Sequence, residues 1–282
     1  MEALTEMLKV IFFGILEGVT EWLPISSTGH LLLVDRWLCL EESDAFKEVF
    51  FVVIQLGAVL AVFFHFGKKM LPFSRQSGHL SLKIHTASLW LKVVLACVPG
   101  AVVTLLFDNA LEELLTKTKL GGKIPLMSAV ISLALILYGI LFLLIEGKRK
   151  LPHTVAVEQI RWKDAFHIGL FQTLSIIPGT SRSGSTILGA MTLGIGRSAA
   201  SEFSFFLAVP VMAGYSLLKL LKFGFAFSPR EARLLLIGSL CAFLTSLAVI
   251  RFLMSYVKRH SFALFGIYRI LLGLAVSLSF LL

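Results

Sequence analysis

Long apolar runs alternate with short polar connections along the whole chain. A hydrocarbon core about 30 Å thick needs about 20 apolar residues in a helix. Full spans are therefore expected near positions 46–66, 89–107, 124–145, 201–221, 232–252 and 262–282. Pro99 and Pro210 fall inside two of them and are expected to kink those helices locally. Two further apolar segments are broken. One covers 1–38 and is interrupted by Leu23-Pro24-Ile25-Ser26-Ser27-Thr28-Gly29. The other covers 164–195 and is interrupted by Ile177-Pro178-Gly179-Thr180-Ser181-Arg182-Ser183-Gly184. Each has apolar arms too short to span alone, joined by a Pro/Gly/Ser loop. The pattern predicts re-entrant helical hairpins, which a membrane tolerates only where the loop is buried in protein or lines a wet cavity.

The two broken segments resemble each other. Gly14 and Gly169 lie 155 positions apart, and the same shift sets Glu17 on Gln172, Ser26 on Ser181 and Gly29 on Gly184, then Phe50-Phe51 on Phe205-Phe206. Each half reads as one hairpin followed by three spans: repeat 1 over 1–146, a connecting loop over 147–163 and repeat 2 over 164–282. An odd number of crossings per half turns the second half upside down. The expected architecture is thus an all-α polytopic membrane protein with six transmembrane helices and two re-entrant hairpins in an inverted-topology repeat. In such repeats the two loops meet near mid-membrane.

Composition supports this class. Hydrophobic residues make up 57% of the 282 positions and charged ones 15%, against about 45–50% and about 25% in soluble domains. The mean hydropathy is +0.87. Disorder is excluded because hydrophobic residues dominate, and a disulfide scaffold because there are only 3 cysteines, Cys39, Cys97 and Cys241, which are far apart and form no metal or CxxC spacing. The net charge of +9 comes from short basic clusters such as Lys68-Lys69 and Lys148-Arg149-Lys150. Cytoplasmic loops facing anionic lipid account for them better than nucleic acid does. The loops over 67–88 and 147–163 are basic, whereas Glu41-Glu42-Ser43-Asp44 is acidic and the 108–123 loop is balanced. Both termini are therefore expected outside, with Lys222, Arg230 and Arg233 dissenting. Glu2 and Glu6, with no basic leader, argue against a signal peptide.

Three groups of residues could carry chemistry. Glu17 and Glu21 share one helical face, and two carboxylates in an apolar arm require a cation between them or a proton on one; a solvated surface face is the plain alternative. Ser26-Ser27-Thr28-Gly29-His30 offers hydroxyls beside an imidazole, which suits nucleophile activation or proton transfer. Pro178-Gly179-Thr180-Ser181-Arg182-Ser183-Gly184-Ser185-Thr186 places N–H groups, hydroxyls and a guanidinium at the start of a helix, an arrangement that binds phosphate. Capping accounts for the serines but not for an intramembrane Arg182. Carboxylates would repel a phosphate unless a divalent cation bridged them, so the chemistry points to a phosphate-containing, lipid-accessible substrate with a metal.

These residues resemble the bacterial undecaprenyl pyrophosphate phosphatase family, the bacitracin-resistance type. The likeness rests on Glu17-x-x-x-Glu21, Ser26 to His30 and Pro178 to Thr186, and extends to Ser201-Glu202-Phe203-Ser204-Phe205 and Ile267-Tyr268-Arg269. It implies hydrolysis of undecaprenyl pyrophosphate to the monophosphate, recycling the lipid carrier of peptidoglycan synthesis for cell wall biogenesis. It also implies dependence on magnesium or calcium, a site in the bacterial inner membrane open to the outer face, and bacitracin resistance. A second lipid-phosphatase family, with Ser-Arg-x5-His, does not fit, because Leu188 stands where its His would be.

The expected roles follow. Arg182 and the N–H groups of Thr180 to Ser183 take the phosphates, with Ser26, Thr28, Gly179, Thr180, Ser181, Ser183 and Thr186 lining their site. Glu17 and Glu21 hold the metal, His30 is the general acid or base, and the nucleophile is Ser27, activated by His30, or a metal-bound water. Ser185 is assigned to capping. The expected partners are the polyprenyl pyrophosphate and membrane lipid, with no nucleic acid and a homodimer left open. The alternative from another class is a transporter or flippase for a lipid-linked or small phosphate-containing anion.

Overall fold

The computed structural model describes residues 2–35, 37–76, 79–120, 124–148 and 151–281. Two short helices come first, α1 (Glu2–Thr20) and α2 (Ser27–Asp35), followed by the long α3 (Asp44–Met70). A small hairpin of β1 (Phe73–Gln76) and β2 (His79–Leu82) leads to α4 (Ile84–Lys117). A two-residue ladder of β3 (Lys119–Leu120) on β4 (Ile124–Pro125) precedes α5 (Leu126–Gly147). The second half repeats the order with α6 (Trp162–Thr173), α7 (Arg182–Thr192), α8 (Arg197–Phe223), α9 (Pro229–Arg259) and α10 (Ala263–Leu281). Single 3₁₀ turns at Val157–Gln159 and Leu174–Ile176 flank α6.

Six helices, α3, α4, α5, α8, α9 and α10, are long and apolar enough to cross a membrane. They coincide with the six expected spans, and the chain is an all-α polytopic membrane protein. Pro99 and Pro210 sit inside α4 and α8, and both helices continue through them. Helix α4 runs a further ten residues past the expected end at Phe107, where Lys117 pairs with Glu113 at 2.6 Å one turn away. The β-ladders, both antiparallel, have no counterpart in the hydrophobic pattern because they lie in polar connections. Among the residues used for orientation and span ends, Met1, Lys123, Arg149, Lys150 and Leu282 lie outside the described residues.

Hydrogen bonds tie the segments that flank each short helix pair. Near α1, Lys9 donates to the Cys39 carbonyl at 2.8 Å, and the Glu41 N–H donates to Glu6 at 3.1 Å. Near α6, the His153 N–H reaches the Gly194 carbonyl at 3.1 Å and the Gly196 N–H reaches that of Thr154 at 2.7 Å. Arg230–Glu42 and Lys219–Glu48 lace one end of the long helices, and Lys69–Glu202 and Arg197–Glu146 lace the other. At 19 residues, α1 is longer than its short apolar core implied, because the Glu6–Lys9 pair extends it outward.

The short helices α1 and α6 each pack on one long helix, and the long helices pack on one another. Helix α1 lies on α9 as α6 lies on α4, while α3 packs on α8 and α5 on α10. The first two contacts depend on glycine. A Cβ on Gly14 would stand 2.5 Å from the Gly238 carbonyl oxygen, and one on Gly169 would stand 2.4 Å from that of Ala96. Only backbones without side chains come that close, which is how helices associate where lipid supplies no hydrophobic drive. Aromatic edges fill the middle: the Trp22 ring meets Phe205 at 5.2 Å and Phe66 meets Phe206 at 5.3 Å, both nearly perpendicular. Such contacts contribute about 0.5–1.5 kcal/mol each beyond area burial. Their effect here is to seat the first turn against α8.

Candidate active site

The two helix breaks share a left-handed serine at equivalent places. Ser26 has φ 71° and Ser181 φ 69°, both in the region that disfavours any side chain. Holding a non-glycine residue there costs on the order of 1–3 kcal/mol and persists only where surrounding contacts fix it. At the second break, Gly179 (φ 92°) turns the chain and Thr180 locks the turn, donating to the Leu174 and Ile177 carbonyls at 3.0 and 2.8 Å. The Ser181 hydroxyl accepts the Gly184 N–H at 3.2 Å, so Ser181 is the N-cap of α7. Ser185, expected to cap, instead donates to the Tyr138 hydroxyl at 2.9 Å.

Glu21 joins the breaks. One of its oxygens accepts from the Arg182 guanidinium at 2.9 Å and the other from the Ser27 hydroxyl at 3.2 Å. The other arm of Arg182 donates to the Ser204 carbonyl at 2.9 Å, which holds the guanidinium plane between α1 and α8. Ser183 adds weaker contacts to the Glu21 and Leu23 carbonyls at 3.4 and 3.5 Å. Glu17, one turn behind Glu21, is completely buried; among the described residues neither of its oxygens meets a donor, and its charged neighbours are Glu21 and Arg182. Its free oxygens are hard donors of the kind magnesium or calcium takes, and the described residues hold no group of three or more His, Cys, Asp or Glu side chains placed to bind a metal.

The remaining expected residues divide. His30 donates from Nδ1 to the Ser26 carbonyl at 2.7 Å, since a carbonyl can only accept. Its Nε2 lies 2.6 Å from the Tyr268 hydroxyl, and the two rings stack at 5.6 Å. Both ring nitrogens are thus engaged away from Ser27, whose partner is Glu21. Thr186 is buried and bonded to the Arg182 carbonyl and the Ser204 hydroxyl. Ser26 is buried with its hydroxyl unpartnered among the described residues, and Thr28 is exposed beside the cluster.

Residues 10–275 match the family model described as bacitracin resistance protein BacA. The chain belongs to the BacA family. It is 54% identical over 276 residues to a protein of Enterococcus faecalis named undecaprenyl-diphosphatase, covering 97% of this chain and 96% of that one. Proteins of the same name from Lachnoclostridium phytofermentans and Acetivibrio thermocellus are 52% and 49% identical, each pairing covering 98% of both chains.

In this member of the BacA family, residues not assigned from sequence complete the site. Tyr268 and Arg269 come from α10, Tyr138 from α5 and Ser204 from α8. Arg269 is the most informative omission. The criterion that singled out Arg182, a cation inside an apolar span, applies equally to Arg269. Without a Gly/Ser loop around it, the residue reads as part of a plain span.

Proposed function

We infer that the two breaks form one catalytic site, where undecaprenyl pyrophosphate is hydrolysed to undecaprenyl phosphate and phosphate. The family and its phosphatase-named relatives support hydrolysis over transport. One geometric observation carries the assignment of residues: a single carboxylate, Glu21, binds Arg182 of one break and Ser27 of the other.

Phosphoryl transfer needs charge neutralisation on the non-bridging oxygens and an aligned nucleophile. Arg182, with its planar fork, takes the phosphate oxygens, and the opening N–H groups of α7 add donors of the kind every helix start leaves free. The Ser27 oxygen attacks the terminal phosphorus while Glu21 accepts its proton. The bond to the bridging oxygen breaks, and undecaprenyl phosphate leaves with the proton that Glu21 returns to it. Water then attacks the phosphoserine, Glu21 accepting one of its protons and passing it to the Ser27 oxygen as that P–O bond breaks and phosphate leaves. Direct attack by water on the same phosphorus uses Glu21 in the same way, so trapping of phosphoserine separates the two routes. His30 takes a different part from the one expected: it braces the Ser26 carbonyl and leaves proton transfer to Glu21. Glu17 and Glu21 would hold a divalent cation, which supplies charge neutralisation for the pyrophosphate.

The hairpins are re-entrant in this reading and the halves form an inverted repeat. The hydrogen bonds that tie the flanks of each short pair and the matching Ser26 and Ser181 conformations support this. The end carrying Glu41, Glu42 and Asp44 faces outward with both termini, and the end carrying Lys68, Lys69 and Lys83 faces the cytoplasm.

The test is phosphate release from undecaprenyl pyrophosphate by the purified protein, with and without chelator. Release with magnesium or calcium that stops in chelator is expected. Undiminished release in excess chelator would remove the metal role. Transbilayer movement of the lipid without phosphate release would overturn the hydrolytic reading.

A further inference from the structure

Arg269 is fully buried, and no described carboxylate pairs with it. Its guanidinium donates from Nη1 to the Pro24 carbonyl at 3.0 Å, and from Nη2 to the Gly179 and Thr180 carbonyls at 2.8 and 3.0 Å. Its face lies 5.2 Å from the centre of the Tyr138 ring, and Nε has no partner among the described residues. Pro24 and Gly179 are 155 positions apart, each two residues ahead of its positive-φ serine. One arginine therefore reads the same carbonyl in both breaks at once. A buried cation without a counter-ion is costly; here carbonyl dipoles and an aromatic face take the place of water.

We propose that Arg269 is a positioning residue for the hydrolysis: it sets the separation and angle of the two breaks, and through them places Arg182 against Glu21 and Ser27. The proposal rests on the reading that cleavage occurs between those residues. Only a planar fork reaches both breaks, since a lysine ammonium on its flexible stem cannot present two parallel donors in fixed directions. Gly184 belongs to the same device. A Cβ there would stand 3.1 Å from Arg269 Nη1, so the glycine leaves room for the guanidinium.

The experiment compares Arg269→Lys, Arg269→Met and Arg182→Ala with the wild type, measuring kcat and KM for phosphate release per folded molecule and the thermal midpoint. A misplacement of about 1 Å costs up to about a hundredfold in rate. Both Arg269 variants are expected to lose on the order of 10–100-fold in kcat while KM changes by less than about threefold. An unchanged kcat per folded molecule with a lower thermal midpoint would make Arg269 a stabiliser only and overturn the proposal. Should neither Arg269 variant fold, Gly184→Ala decides. A few-fold fall in its kcat at constant KM is expected, and an unchanged kcat overturns the proposal. Full activity in Arg182→Ala would instead overturn the reading of the cleavage site, whatever the Arg269 variants do.

Discussion

The two helix breaks share backbone features and differ in their side chains. Ser26 and Ser181 hold the same strained conformation, Pro24 and Gly179 offer the same carbonyl, and Gly14 and Gly169 make the same close helix contact. The side chains diverge. Where the first break has Glu17, Glu21 and Ser27, the second has Gln172, Ile176 and Arg182. One break supplies carboxylates and a hydroxyl; the other supplies the cation that meets them. The two breaks therefore bring an acidic group and a basic group into direct contact, at 2.9 Å. The buried Arg182–Glu21 contact is the seam between the two.

Cutting that seam on its acidic side has the largest expected effect. Glu21→Gln keeps the size of the side chain but loses the charge that receives the Ser27 proton and faces Arg182. Removing a group that acts on transition-state charge typically costs about 10²–10³ in kcat. Because Glu21 both accepts a proton and holds two partners, a loss of about 10³ or more is expected in phosphate release at saturating substrate. Retention of a tenth of the wild-type rate would transfer the base role elsewhere.

Arg182→Lys cuts the same seam from the basic side. The native guanidinium bonds the Ser204 carbonyl with one nitrogen and Glu21 with another, both at 2.9 Å. Lysine retains the charge but not the two directions. A fall of about a hundredfold in kcat is expected with the protein still inserted and folded. Near-wild-type turnover would reduce Arg182 to a counter-ion.

Much of this arrangement is legible in the sequence, for identifiable reasons. Apolar runs report spans directly, because every residue in a lipid-facing helix must be compatible with hydrocarbon. The breaks stand out because Pro, Gly and Ser interrupt such runs, and the 155-residue shift emerges because glycine contacts and positive-φ serines constrain residue type. Pairing is less visible. Proximity along the chain pairs Ser27 with His30, yet in the fold His30 bonds Tyr268 and Ser27 bonds Glu21. Contacts between residues more than 200 positions apart, such as Arg269 with Pro24, leave no local periodicity to read. The β-ladders are hidden for a different reason, since they are short and lie in polar connections.

Erasing a difference between the breaks is a sharper probe than removing a group. Glu17→Gln gives the first arm the residue that the second already has at this place, Gln172. The buried carboxylate is lost, while shape and packing are kept. If Glu17 helps to hold a divalent cation, removing one anionic ligand weakens binding, because affinity in such sites follows ligand charge. The metal concentration for half-activation is expected to rise about tenfold or more, with a smaller loss at saturating metal. An unaltered metal titration curve would make Glu17 a proton-holding group instead.

The smallest expected effects come from the tyrosines that brace each break. His30 and Ser185 occupy equivalent positions, and each bonds a tyrosine hydroxyl, His30 that of Tyr268 on α10 and Ser185 that of Tyr138 on α5. If the division of chemistry is right, the two braces differ in consequence although they match in geometry. Tyr268→Phe frees the ring nitrogen of a histidine that supports the Ser26 carbonyl, one residue before the proposed nucleophile. Tyr138→Phe frees only a serine hydroxyl on the phosphate-binding side and preserves the ring beneath Arg269. Each loses one hydrogen bond worth about 1 kcal/mol. For Tyr138→Phe that loss is expected in the thermal midpoint, with kcat within about twofold of wild type. For Tyr268→Phe a kcat decrease of about three- to tenfold is expected, roughly the rate equivalent of 1 kcal/mol acting on the reacting geometry. Equal losses of kcat in the two variants would show that the braces serve both breaks alike, and that the asymmetry ends at the charged residues.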